Sequence, residues 1–211
     1  MLAALTALVL GVMYAGHSRP GRVDRWFVDP TADSVRPPWR GVALAVDFLG
    51  EPAGAFLLVA ALVAGCLWLR RPRGSLLLLA GPGLAVVTAT LVKSLVGRTI
   101  HGPDNLSYPS GHTAFAGALA YAVALLAAGR RRPGAAGAAA LVLAAALAAA
   151  AVMGWAQVAL SAHYPTDVLG GWCTALAVVP ATAWLIDRVA GGPAARAAGT
   201  RPAGAGARGR R

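Results

Sequence analysis

Long apolar runs alternate along this chain with short polar or basic stretches, the pattern of a polypeptide whose solvent is the bilayer. Six runs come near the ~20 residues that a helix needs to cross a membrane. They lie at roughly 2–16, 53–69, 75–96, 113–129, 135–160 and 167–187. The pattern predicts an all-α fold: a polytopic membrane helix bundle of about six transmembrane helices, forming one domain over residues 1–190. The first run is short and lacks the positively charged start of a signal peptide, so it is read as a retained span. The fifth is mostly alanine, which permits close helix approach and places it, on this reading, inside the bundle. Between the first two runs, segment 17–52 mixes Trp26, Phe27 and Trp39 with prolines and charges. It reads as a surface-lying segment anchored at the interface by its aromatics. Residues 191–211 are Gly, Ala, Pro and Arg, too poor in apolar content to fold, and are expected to form a disordered basic cytoplasmic tail.

Composition strengthens the membrane reading. Of the 211 residues 57% are hydrophobic and 13% charged, against about 25% charged in a soluble domain. Mean hydropathy is +0.62. The net charge of +11 raises the question of nucleic acid, which the distribution answers. Arg70, Arg71 and Arg73 follow one apolar run, Arg130, Arg131 and Arg132 another, and further arginines follow the last. Clusters at span ends orient a membrane protein by the positive-inside rule, whereas a nucleic-acid binder lines a face or groove with them. No nucleic-acid partner is expected. With six spans all three clusters face the cytoplasm, and segments 17–52, 97–112 and 161–166 lie on the opposite face. Cys66 and Cys173 sit inside apolar runs without metal or redox spacing and read as small buried hydrophobes.

Three polar groups fall on that extracytoplasmic face. Lys93, the sole lysine in the chain, stands near the end of the third run and is followed by Arg98. Read alone, it is either a lysine snorkelling at a helix end or a point charge for phosphate. Next comes Tyr108-Pro109-Ser110-Gly111-His112-Thr113, at the start of the fourth run. Outward backbone N–H groups and the helix dipole favour an anion there. Ser110 adds a hydroxyl, Gly111 lets the backbone approach closely, and His112 can protonate a leaving oxygen. The third group, Ser161 to Asp167, enters the sixth run with Pro165 suited to the first helical turn. If that turn is helical, His163 and Asp167 share one face. They form either a buried structural pair or a nucleophilic imidazole with its orienting carboxylate.

Together these groups resemble the type 2 phosphatidic acid phosphatase (PAP2) superfamily, whose pattern is Lys-x6-Arg-Pro, then Pro-Ser-Gly-His, then Ser-Arg-x5-His-x3-Asp. The second motif is complete at Pro109–His112, and His163-x3-Asp167 completes the end of the third. The first and third are otherwise degenerate. Ile100 and His101 stand where Arg-Pro is expected, and Ala156-Gln157 where Ser-Arg is expected.

The resemblance implies a bacterial membrane enzyme of the phosphoric monoester or diphosphate hydrolase type. It implies His163 as nucleophile, Asp167 as its orienting group and His112 as general acid. Lys93, Arg98, Ser110, Gly111 and Gln157 would bear the phosphate, with Arg98 and Gln157 standing in for the missing arginines. No metal or other cofactor is expected, on that resemblance and because the sequence offers no evident acidic cluster to hold one. The expected substrate is a lipid-linked phosphate or diphosphate, such as polyprenyl diphosphate or phosphatidate. The site would face the extracytoplasmic side of the bacterial cytoplasmic membrane. A phosphotransferase using the same intermediate, or a non-catalytic lipid-phosphate binder or transporter, are the alternatives.

Overall fold

Each apolar run becomes a helix because, without water, the backbone must satisfy its own N–H and C=O groups. The computed structural model describes residues 1–31, 35–131 and 134–190. In chain order the helices are α1 (Leu2–Met13), α2 (Arg22–Thr31), α3 (Trp39–Phe48), α4 (Pro52–Trp68), α5 (Pro72–Val96), α6 (Gly111–Arg131), α7 (Ala135–Ala159) and α8 (Pro165–Ala190). Among the described residues the one extended pairing is an isolated bridge between Thr99 and Leu106. The all-α expectation therefore stands. The proposed tail, 191–211, lies outside the described residues, as does Arg132.

By length and composition the helices account for four to five of the about six expected spans. Among the described residues four helices, α5 to α8, are long and apolar enough to cross, and a fifth span arises if α3 and α4, bent at 64°, are taken as one. The first expected span shortens to the 12 residues of α1, about 18 Å at 1.5 Å per residue, short of a ~30 Å hydrocarbon core. Segment 17–52 holds two helices that the apolar pattern did not announce. Trp26, Phe27 and Trp39 are exposed on it, as interfacial anchors are.

At the centre stands α6, packed against α5, α7 and α8, while α8 also touches α5 and α1. The core between them is built from Leu77, Leu78, Phe115, Leu119 and Val179 with alanines such as Ala85, Ala118 and Ala175. Small residues let the backbones close: Gly117 on α6 lies against Ala175 and Trp172 of α8 and Ala150 of α7. The expectation that alanine-rich α7 sits inside the bundle is corrected. Its most apolar window is 22% buried, against 39% to 50% for the other three. Alanine gives α7 a close seam with α6, and α7 also meets α3, α8 and α2, yet most of its apolar window stays exposed.

Candidate active site

The site forms where three helix ends meet at one end of the bundle. Helix α5 stops at Gly97, whose φ of 63° places it in the left-handed region as a C-cap, its N–H donating to the Lys93 carbonyl. The chain then turns through 98–110, and α6 starts at Gly111. Ser110 N donates to the Asp167 carbonyl at 2.9 Å, which fastens the start of α6 to the start of α8. Gly171 permits this closeness, since a Cβ there would collide with the Ser110 carbonyl oxygen.

His163 lies before α8 instead of inside its first turn, so the two residues are not stacked on a helical face. A capping arrangement unites them. Pro165 opens α8, and the Asp167 carboxylate reaches back to accept from Tyr164 N at 3.0 Å. The same oxygen lies 3.7 Å from His163 Nδ1, beyond hydrogen-bond length, and Nδ1 has no other partner. Apo catalytic bonds are often long and tighten with substrate. His163 is buried, and burial holds its imidazole below the ordinary histidine range, with Asp167 acting in the opposite sense.

Lys93 is half-buried and donates to the Leu106 carbonyl at 2.9 Å, leaving two ammonium protons for other acceptors. Its charge faces both Asp167 and His163. Ser110 is fully buried, and its Oγ accepts from Thr113 N and Thr113 Oγ1 at 3.3 and 3.1 Å. Its own hydroxyl proton remains available. Gly111 is the first residue of α6, where helical N–H groups lack intrahelical acceptors. His112 follows, within electrostatic reach of His163. The structure thus gathers Lys93, Ser110, Gly111, His112, His163 and Asp167 at one place.

Arg98 and Gln157 are placed differently from an open anion clamp. Arg98 is 0% exposed. Its Nη1 donates to Asp167 Oδ1 and Thr166 Oγ1, and its Nη2 to Asp24 Oδ2, each at 2.6 Å. Its guanidinium lies between the rings of Tyr14 and Tyr164, 4.1 and 4.6 Å from their centroids. Gln157, also buried, donates to Asp47 Oδ1 at 2.6 Å. Both side chains are turned to carboxylates.

Asp24, Asp47 and Glu51 were not singled out in the sequence. Asp24 is the one buried residue of α2. Asp47 and Glu51 flank the bend between α3 and α4 and approach His112 Nε2 at 3.6 and 3.4 Å. The expectation that no acidic cluster stands near the site is thereby corrected: ligand-type atoms of Asp47, Glu51 and His112 all fall within 4.8 Å of one another. Tyr164 and Thr166 did lie inside the His163–Asp167 string, where their packing roles have no sequence signature.

The model of the PAP2 superfamily matches residues 53–190. No curated protein matches the chain. A solved structure that superposes well is the crystal structure of the first transmembrane PAP2 type phosphatidylglycerolphosphate phosphatase from Bacillus subtilis. It is 21% identical, with a TM-score of 0.67 over 88% of this chain and 92% of that one. At that identity the likeness concerns the fold. Complete Pro-Ser-Gly-His and His-x3-Asp segments meet at one end of an all-helical, multi-pass bundle, and the family model covers well over half of the sequence: the chain belongs to the PAP2 superfamily.

Proposed function

We propose that this protein is an integral-membrane lipid phosphatase that works through a phosphohistidine. The reading is carried by one observation: His163, Asp167, His112 and Lys93, from three separate segments, converge beside the buried Ser110 turn. His163 Nδ1 faces Asp167, so Nε2 is the nitrogen that attacks phosphorus. As the N–P bond forms, the P–O bond to the leaving oxygen breaks, and His112 gives that oxygen its proton. Water then attacks the phosphohistidine, the P–N bond breaks, and His112 takes back a proton. Lys93, Ser110 and the N–H groups at Gly111 bear the equatorial oxygens. Arg98 and Gln157, bonded to carboxylates, serve the site by fixing those carboxylates.

The substrate is a lipid phosphate or diphosphate, for which polyprenyl diphosphate, phosphatidate and phosphatidylglycerol phosphate are all admissible. The site faces away from the cytoplasm of a bacterial inner membrane, because Arg70, Arg71 and Arg73 mark the opposite end of α5. The test is phosphate release from a panel of these lipids by the purified protein in detergent with excess chelator, wild type against His163→Ala. We expect release by wild type and a loss of at least about 10³-fold in the variant. No release from any lipid would sink the hydrolase reading and leave a binder. Transfer of the phosphoryl group to an added alcohol in place of water would make it a phosphotransferase. Chelator-sensitive release would point to a cation at Asp47, Glu51 and His112 and overturn the metal-independent mechanism.

A further inference from the structure

Helix α2 lies outside the segment that the family model covers. Its one buried residue, Asp24, is nonetheless 0% exposed and bonded into the site. Asp24 Oδ2 accepts from Arg98 Nη2 at 2.6 Å and from Gly21 N at 2.9 Å. Oδ1 accepts from Thr166 N at 3.0 Å and Thr166 Oγ1 at 2.8 Å. Four donors saturate the roughly four lone-pair positions of a carboxylate. On its other side Arg98 holds Asp167 Oδ1, and Asp167 faces His163. A continuous buried chain therefore runs from α2 to the nucleophile: Asp24, Arg98, Asp167, His163.

Its charge count is informative. Two carboxylates share one guanidinium, all three fully buried, which leaves one negative charge unmatched within the bonded cluster. Uncompensated buried charge is costly. Lys93 faces Asp167 from α5 without bonding to it, and the imbalance is further relieved when the His163 imidazole becomes cationic, as it does on bonding to phosphorus. Interactions that strengthen only in that state lower the barrier instead of merely tightening binding. With a neutral side chain at position 24, Arg98 would cancel Asp167, and the imidazolium would lose its counter-charge.

We propose that Asp24 is a positioning residue for catalysis: by engaging Arg98 it leaves the Asp167 charge available to His163. This role rests on the phosphohistidine reading above. His163 is also faced by Lys93 from α5 and His112 from α6, and both stay unchanged in the test.

The experiment compares Asp24→Asn, Asp24→Glu and Asp29→Asn, the last removing an exposed carboxylate from the same helix. Each is assayed for kcat and KM across pH, with thermal unfolding in detergent. The His163 imidazole is titrated by 15N NMR, assigned with His163→Gln. Asp24→Asn should lower kcat by about 10- to 100-fold, the range for outer partners of functional histidines, with KM changed by less than about threefold. The His163 titration and the acid limb of kcat/KM should move to lower pH by about 0.5–1 unit. Asp24→Glu should restore part of both, and Asp29→Asn should stay within about twofold of wild type. A wild-type titration in folded Asp24→Asn overturns the proposal, whether activity is kept or is lost along with thermal stability. If Asp24→Asn does not fold, Thr166→Val carries the test, since it removes the hydroxyl shared by Arg98 and Asp24 but no charge. A smaller shift of the same sign supports the proposal, and an unmoved titration overturns it. The titration reads the coupling without turnover, so a failure of the phosphatase reading would be seen separately, in absent phosphate release by wild type.

Discussion

On one side of the site, His163 backs onto Asp167, Arg98 and Asp24, the last three fully buried and joined by bonds of 2.6 Å. On the other, His112 faces Asp47 and Glu51, whose side chains are 24% and 50% exposed and stand off at 3.6 and 3.4 Å. Both halves pair an imidazole with carboxylates, but they have different consequences. In the buried half no water can replace a lost partner, so every charge is committed to one geometry and tied to folding. In the open half the carboxylates are partly solvated and stand off from His112 Nε2, itself buried without a hydrogen bond, so under the proposed mechanism they can shift as a proton moves between His112 and the substrate. In that mechanism a nucleophile gains from being fixed and a proton donor from being adjustable, a division that the two halves would suit.

Substitutions can break this contrast, and the largest effect is expected at Arg98. Arg98→Ala leaves two buried carboxylates unpaired and should destabilise the protein by about 3–5 kcal/mol. Thermal unfolding in detergent measures this, and turnover should fall with it. Arg36→Ala, at an exposed position, should stay within about 0.5 kcal/mol. Equal effects would mean that the buried cluster does not hold the fold.

Next is Gly171→Ala, whose Cβ would collide with the Ser110 carbonyl oxygen and press on Ala114 N at 3.1 Å. It should cost about 1–3 kcal/mol and raise KM for the lipid phosphate as the Ser110 turn moves. A wild-type KM would show that this turn is not where phosphate binds.

In the open half the order of effects reverses. Asp47→Asn should lower turnover by about tenfold or less while costing under ~1 kcal/mol of stability. A stability loss as large as that of Arg98→Ala would erase the distinction between the halves.

The smallest effect is a displacement in pH. Burial opposes the charged form of His163, so its pKa lies below the usual ~6.5 and the imidazole stays neutral to lower pH. The acid limb of kcat/KM set by the nucleophile should accordingly fall below pH ~6.5. A nucleophile limb above that value would mean that Asp167 outweighs burial.

The sequence alone determined the long apolar helices and which residues of two motifs could carry chemistry. Uninterrupted apolar runs leave a membrane chain no alternative to helix, and Pro109–His112 and His163-x3-Asp167 carry their residues in fixed local order. It was less informative where structure depends on what lies across a gap. Helices α2 and α3 are short and polar-flanked, so no long run marks them. The location of α7 follows from which seam its alanines fill, and alanine suits a crowded seam and a lipid face alike. Arg98 is legible as a cation near the site, but its direction was decided by Asp24, bonded across to Thr166, 142 positions further along the chain. Gln157 likewise turns toward Asp47, 110 residues away. Tertiary structure alone decided such pairings, because a buried charge takes the partner that folding brings within about 3 Å, and spacing along the chain does not encode that distance.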